Sequence, residues 1–546
     1  MMKSLVSLIC LFLSVVFLLF LFSKSFTTFD SYFHMQVAKH YRENWFSTLL
    51  QKVGMVDLST YPPLAHQLLA IIPLPLEINY SLLTIIFTIL LSFYSAKFIT
   101  SYLKTKNNFW LVYFFVLFSP AILITIFTFG QLPTLIGLAF SFISLYYFSE
   151  FLNMKRRDLL LLASLSLVLV AYTNILIFLI LAIFYFFIFL FFLRFIIRNL
   201  KSIFSYFFLS AFLIFLIYYP FFFKSVVQKE IPHWSRYPFE DNLNAQRFIK
   251  MYGIAFPVSL ILPFMIISLN KKIRKRALEI YILAIIFLIL SLGTTTPLIK
   301  FFGSHAYWLT YERFLLTSSI IFLSLCAALL PKFEIIFFNR KIPVHVFLTI
   351  PLLIFISTNL LLHEHAHFFG DTIKRSDKNI RDQYTKFALD YLNNIEGNYR
   401  YQTFGYDRPI GEIYFYSKLP TLDTDYFTGR TISWIRELGI EEIDQIKDET
   451  MLDAFLNHAT NYSIKYVITF DDFYFNYFQS KGWELVNQNI FEGKKVAIFV
   501  NPENVEEVKF SKESYGFINY LRGILPLALL TTFLIIVIKT KIQKLE

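Results

Sequence analysis

Residues 4–34 read SLVSLICLFLSVVFLLFLF-SKSFTTFDSYFH. The first part, 4–22, carries no charge and is long enough to cross a hydrocarbon core as a helix. Lipid offers the backbone no hydrogen-bond partners, so a segment of this kind satisfies its own amides only by coiling. No small-x-small cleavage pattern follows it, so it reads as a retained first span rather than a signal peptide. A few residues past its end stands an acid, Asp30.

The same apolar pattern recurs along the chain. Further candidate spans are 81–99, 109–127, 132–151, 159–172, 175–193, 203–223, 252–269, 277–293, 314–331, 343–362 and 520–538, which makes about 12 in all. The run at 159–172 is short, and a single long helix over 159–193 is the alternative. Of the 546 residues 56% are hydrophobic and only 16% charged, against roughly 25% in a soluble domain. The expected fold class is a polytopic α-helical membrane protein with a C-terminal extracytoplasmic α/β domain. Its divisions are 1–362 for the first 11 spans, 363–519 for the water-facing domain, and 520–546 for the last span and a basic tail.

Basic residues set the orientation. Alternate connections hold Lys104 and Lys106, then Lys155, Arg156 and Arg157, then Arg194, Arg198 and Lys201. The series continues with Lys271 to Arg276, with Lys332, Arg340 and Lys341, and with Lys539, Lys541 and Lys544. The intervening turns around Phe129 and Thr173 have none. This pattern places the basic set and both termini in the cytoplasm, and the pieces 23–80, 224–251, 294–313 and 363–519 outside a cytoplasmic membrane. The net charge of +12 is thus spread over short connections that meet lipid headgroups, and no nucleic-acid partner is expected. Cys10 and Cys326 both fall in apolar runs, which excludes a disulfide framework and a cysteine metal site. In 363–519 the apolar runs are short: 466–470 and 496–500 read as strands, and 432–438 as a helix.

The chemistry-bearing residues cluster in the outer pieces. Asp30 either caps a helix or lies within it, in which case His34, four residues on, shares its face. A carboxylate and an imidazole so placed suit a general base and its partner, or two metal ligands. Tyr61-Pro62-Pro63 followed by His66 forms a rigid turn and a candidate wall for a substrate. Gly130-Gln131-Leu132-Pro133 and Thr173-Asn174 read as polar turns between spans. His233 and Arg236 lie after the seventh span, and Arg313 opens the tenth. Arg313 either pairs with Glu312 at the membrane edge or presents forked donors to a phosphate, with His233 and Arg236 assisting. His363-Glu364-His365-Ala366-His367 fits the H-E-x-x-H zinc pattern, yet the third ligand of the longer motif falls on Ile373, which cannot bind a metal. Asn79 and Asn461 stand in glycosylation tripeptides.

Taken together these pieces resemble the GT-C glycosyltransferases, in which an acidic residue follows the first span as Asp30 does. More closely, the chain is similar to a group of "6-pyruvoyl-tetrahydropterin synthase-related" membrane proteins. The likeness runs from about residue 27 to 500, through 130–133, 232–236, 292–297, 312–314, 398–401 and 428–430. One departure is Asn174, where the resemblance leads one to expect His. The resemblance implies transfer of a sugar from a polyprenyl-phosphate donor to a glycan, lipid or protein acceptor. Asp30 would be the base and His34 its catalytic partner, while Tyr61, His66, His233, Arg236 and Arg313 would bind substrates. Some members use a divalent metal; besides Asp30 the first loop offers Glu43, Asp57 and Glu77, which leaves a metal undecided. The competing readings are a non-catalytic scaffold or glycan-binding protein on the same fold, and a zinc protease through His363, Glu364 and His367.

Overall fold

A computed structural model describes residues 10–19, 29–105, 108–127, 129–224, 242–253, 255–297, 311–330, 334–337, 340–343, 378–406, 410–423, 432–440, 442–491, 493–510 and 515–542. His233, Arg236, the 363–367 motif and the expected span at 343–362, apart from Pro343, lie outside the described residues.

The chain is mostly helical. A short apolar helix α1 (Cys10–Leu19) is followed by α2 (Phe29–Glu43), a two-residue hairpin β1 (Leu49–Leu50) with β2 (Val56–Asp57), and α3 (Leu64–Ile71). The bundle continues with α4 (Leu76–Leu103), α5 (Phe109–Leu117), α6 (Pro120–Phe127), α7 (Leu132–Met154), α8 (Arg157–Thr173), α9 (Ile175–Phe191), α10 (Leu193–Arg198) and α11 (Leu200–Lys224). Next come α12 (Asn242–Tyr252), α13 (Ala255–Ile267), α14 (Lys271–Ser291) and α15 (Tyr311–Leu329), then the hairpin β3 (Glu334–Phe337) and β4 (Arg340–Pro343). Among the described residues five helices are long and apolar enough to cross a membrane. The number is up to 7 if the bent pairs α5–α6 and α12–α13 each count as one span. Phe204, Phe208 and Phe212 on α11, and Phe256 and Phe264 on α13, are exposed, as suits helices whose outer faces meet hydrocarbon.

The run 159–193 divides into two helices. Asn174 ends α8 and caps α9, its Oδ1 accepting from the Leu176 and Ile177 amides at 3.0 and 3.2 Å. A β-carbon at Gly137 of α7 would sit 3.2 Å from Thr173 Oγ1, so glycine lets α7 approach this junction closely.

The C-terminal part holds α16 (Lys378–Asn394), β5 (Arg400–Phe404), α17 (Ile410–Tyr416), α18 (Ser433–Glu437), α19 (Glu449–Ala459), β6 (Ile464–Thr469), α20 (Asp472–Ser480), β7 (Glu484–Phe491) and β8 (Lys494–Val500). The strands form one sheet in the order β5-β6-β8-β7, parallel between β5 and β6 and antiparallel elsewhere. Alternation puts Phe404, Val467 and Phe499 on one face, against Phe455 and Phe478, and Ile468 and Ile498 on the other, with Tyr384 and Ala388. The expected strands at 466–470 and 496–500 fall within or at the end of β6 and β8. The chain then returns to the bundle through α21 (Phe517–Ile542), which packs on α8 and α11.

The sheet part rests on the segment after the first helix. Thr421 exchanges backbone hydrogen bonds of 3.0 Å with Lys52 and Gly54 beside the β1–β2 hairpin. Lys39 of α2 donates to the Phe415 carbonyl at 3.1 Å, and Tyr416 donates to Glu77 at 2.8 Å. Thus α17 clamps the helix that carries Asp30 and His34.

Candidate functional site

Asp30 is the second residue of α2 and so lies within the helix rather than capping it, which leaves its carboxyl for other partners. It is buried, and accepts a short hydrogen bond from the Gln131 side-chain amide. Gln131 stands in the turn before α7. Gly130 makes that turn at φ +63°, a conformation side chains resist, and Tyr80 holds the Gly130 carbonyl at 2.6 Å. Pro133 then starts α7 with its fixed φ.

The other end of Gln131 reaches a cation. Its Oε1 accepts from Arg313 Nη2 at 2.9 Å and from the Thr134 hydroxyl at 3.0 Å. Thr134 in turn accepts from Asn174 Nδ2 at 3.1 Å, and Arg313 Nη1 pairs with Glu312 at 3.2 Å. First-loop helix, turn, α8–α9 junction and α15 therefore meet in one buried polar node. Burial pushes the Asp30 carboxyl up to about 7; Glu312 adds to this and Arg313 opposes it. Asp30 is thus poised to hold or release a proton near neutrality.

One turn along α2, His34 is buried and its Nδ1 lies 3.1 Å from His66 Nε2. His66 Nδ1 lies 3.3 Å from the Pro62 carbonyl, and the Tyr61 ring packs against both Phe33 and His66. The Tyr61-Pro62-Pro63 turn is braced from the last helix: fully buried Arg522 donates to the carbonyls of Leu58 at 2.7 Å and of Tyr61, and Gln67 donates to the Arg522 carbonyl at 2.7 Å.

Of the residues singled out in the sequence, Asp30 and Arg313 share Gln131, while His34, His66 and Tyr61 form the adjoining cluster. Arg313 pairs with Glu312 as one of its two expectations had it, and also donates to Gln131 in the node. Gln131 and Asn174, read as parts of simple turns, and Thr134, not singled out, prove to be the node's connectors; a short polar turn gives no sign of what it faces. Arg522 was also missed, although an arginine so near the start of the last apolar run is itself a signal. Arg247 is buried with its guanidinium 5.5 Å from the Phe129 ring centroid, beside the same turn. Asn79 does not suit glycosylation: it is buried, and its amide donates to the carbonyls of Leu69 and Ile72.

A divalent metal does not fit these donors. Asp57 caps its own turn at the Ser59 amide, Glu77 accepts from Tyr416, and among the described residues no three His, Cys, Asp or Glu side chains gather as ligands. No protein-family model matches the chain, and no curated protein matches it.

Proposed function

We propose that the chain is a membrane glycosyltransferase that moves a sugar from a polyprenyl-phosphate donor to an acceptor at the outer membrane face. The observation that carries the reading is the node itself, where a buried carboxyl and a guanidinium from distant parts of the chain share one amide. In this reading the full chain has about 12 spans, both termini are cytoplasmic, and the sheet forms an extracytoplasmic domain over α2.

Ionised Asp30 takes the proton of the acceptor hydroxyl as that oxygen attacks the anomeric carbon. The bond from that carbon to the lipid phosphate breaks in the same displacement, so the configuration inverts. Negative charge grows on the departing phosphate, and Arg313 is the fixed cation that stabilises it, with His233 and Arg236 assisting. Before substrate binds, Gln131 keeps carboxyl and guanidinium apart yet oriented. Tyr61 and the turn around it line the acceptor side.

A second reading, a lipid-linked glycan-binding scaffold, is favoured by one observation: Asp30 is already buried and hydrogen-bonded by Gln131. The test is incubation of the purified protein with a panel of labelled polyprenyl-phosphate sugars and membrane-derived acceptors. Transfer with inverted anomeric configuration is the expected result. Donor binding without transfer across the panel would replace the first reading by the second.

A further inference from the structure

The two buried histidines fix one another's protons. The Pro62 carbonyl can only accept, so His66 Nδ1, 3.3 Å away, carries a hydrogen. Burial pulls His66 down to about 4, so the ring is neutral near pH 7 and its Nε2 is a bare lone pair. His34 Nδ1, 3.1 Å from that lone pair, is therefore the donor. Burial first, then His66 and Arg313, hold His34 well below its ordinary range, so it too is neutral and its Nε2 is bare. That atom is buried and has no hydrogen-bond partner among the described residues. A buried acceptor left without a donor is destabilising, because it has given up its water partner for nothing.

The donor that would satisfy this atom can be specified by its chemistry. Arg313 acts on His34 as a repelling cation, so an ammonium group or a metal ion is disfavoured there. A fully ionised phosphate or carboxylate has no hydrogen to give. A neutral hydroxyl does. Asp30 lies four residues earlier on the same face of α2, so the helix presents two acceptors side by side. Two acceptors ask for a ligand with two O–H donors.

We infer that His34 Nε2 is a fixed acceptor for one hydroxyl of a polyhydroxylated ligand whose neighbouring hydroxyl meets Asp30, with His66 as the positioning residue that holds the tautomer. The ligand is a neutral polyol, either a sugar ring or a glycerol headgroup. The inference deepens the transferase reading and rests on it for the ligand's role as acceptor. It also separates two residues grouped above: His34 touches ligand, whereas His66 acts through His34.

The test reads the rings directly. The full-length protein, labelled with 15N-histidine and reconstituted in lipid, is studied by solid-state NMR, with signals assigned from His34→Gln and His66→Gln. The expected spectrum has a His34 ring protonated at Nδ1 and bare at Nε2. Its Nε2 signal moves when methyl glycosides or glycerol are added, and does not move with 1,2-dimethoxyethane, which offers ether oxygens without hydroxyls. Movement with glycosides alone identifies a sugar, and movement with glycerol a glycerol headgroup. His66→Leu mixes the His34 tautomers and raises the half-saturating polyol concentration on the order of tenfold. His66→Gln, which keeps a side-chain acceptor, restores most of both, as loss of packing alone would not allow. A His34 ring protonated at Nε2, or an Nε2 signal that ignores both polyols or answers equally to the ether, overturns the inference. Because the readout needs no turnover, a polyol response without sugar transfer counts against the transferase alone, and transfer without the response counts against this inference alone.

Discussion

Among the described residues, buried acids stand at the node and in the sheet part, besides Glu279 on α14 under the Tyr102 hydroxyl, and those of the first two places are built in opposite ways. In the sheet part, Asp423 accepts from the Asp444 backbone amide at 2.7 Å and from Gln402 at 3.2 Å. Asp444 accepts from the Tyr406 amide at 3.2 Å and from Gln445 at 2.6 Å, and its carbonyl holds the Gly405 amide at 2.8 Å. Backbone amides fixed by the fold supply much of that bonding, so these acids tie the end of β5 to the segments that cross it. At Asp30, among the described residues, no backbone amide donates to the carboxyl; its hydrogen-bond donor is a side chain that also serves Arg313. An acid anchored by a backbone amide belongs to the architecture, whereas one held among side chains of separate elements can change partners when a ligand arrives.

The comparison is sharpened most strongly by removing the charge at each place. Asp30→Asn is expected to lower sugar transfer on the order of 10²- to 10⁴-fold, the usual contribution of a general base, while the protein stays folded. Arg313→Gln comes next, with a fall in kcat on the order of 10²- to 10³-fold if it stabilises the leaving phosphate. Its KM for donor should change less, since charge there develops mainly in the transition state. Steady-state rates with a labelled donor check both.

A pH series breaks the comparison in a different way. Because the folded Asp30 carboxyl sits at about 7, above its unfolded value of 3.8, burial favours the protonated form. Its contribution to stability is fully present below pH 3.8 and is lost as pH rises through about 7. Wild type should therefore lose thermal stability relative to Asp30→Asn across that window, and its transfer rate should rise with an apparent pKa near the same upper value. Melting curves and rates in one buffer series give both answers.

Smaller effects are expected in the sheet part. Asp423→Asn removes the charge and turns one of the two carboxylate oxygens into a donating amide, and should cost about 1–3 kcal/mol of stability with turnover per folded molecule unchanged. Smallest is Tyr416→Phe, which removes one exposed hydrogen bond to Glu77 and should cost roughly 0.5–1.5 kcal/mol. Denaturation followed by tryptophan fluorescence measures the two.

The sequence marks these two regions unequally. Long apolar runs dictate helices because lipid leaves no alternative, and short apolar runs bounded by polar residues mark the strands around Val467 and Phe499. Asp30, His34, Tyr61, His66 and Arg313 were legible as a charged or aromatic side chain in an unusual place. Their connectors were not. Gln131 and Asn174 have the composition of any turn, and the close approach of α7 at Gly137 to the α8–α9 junction goes with the bond from Asn174 to Thr134, which links it to Gln131. The split at Asn174 was ambiguous for the same reason, since apolar periodicity runs on either side of it and one side-chain cap decides. Asn79 shows the converse: a three-residue pattern says nothing of burial, and here the side chain closes the end of α3.

The most direct measurement places Asp30→Asn and Asp423→Asn side by side in one transfer assay, with the folded fraction of each counted by size-exclusion chromatography. The account expects Asp30→Asn to be folded and inactive, and Asp423→Asn to be less stable but fully active per folded molecule. Transfer by folded Asp30→Asn at the wild-type rate would contradict it, because the buried carboxyl at the node would then be architecture like its counterparts in the sheet.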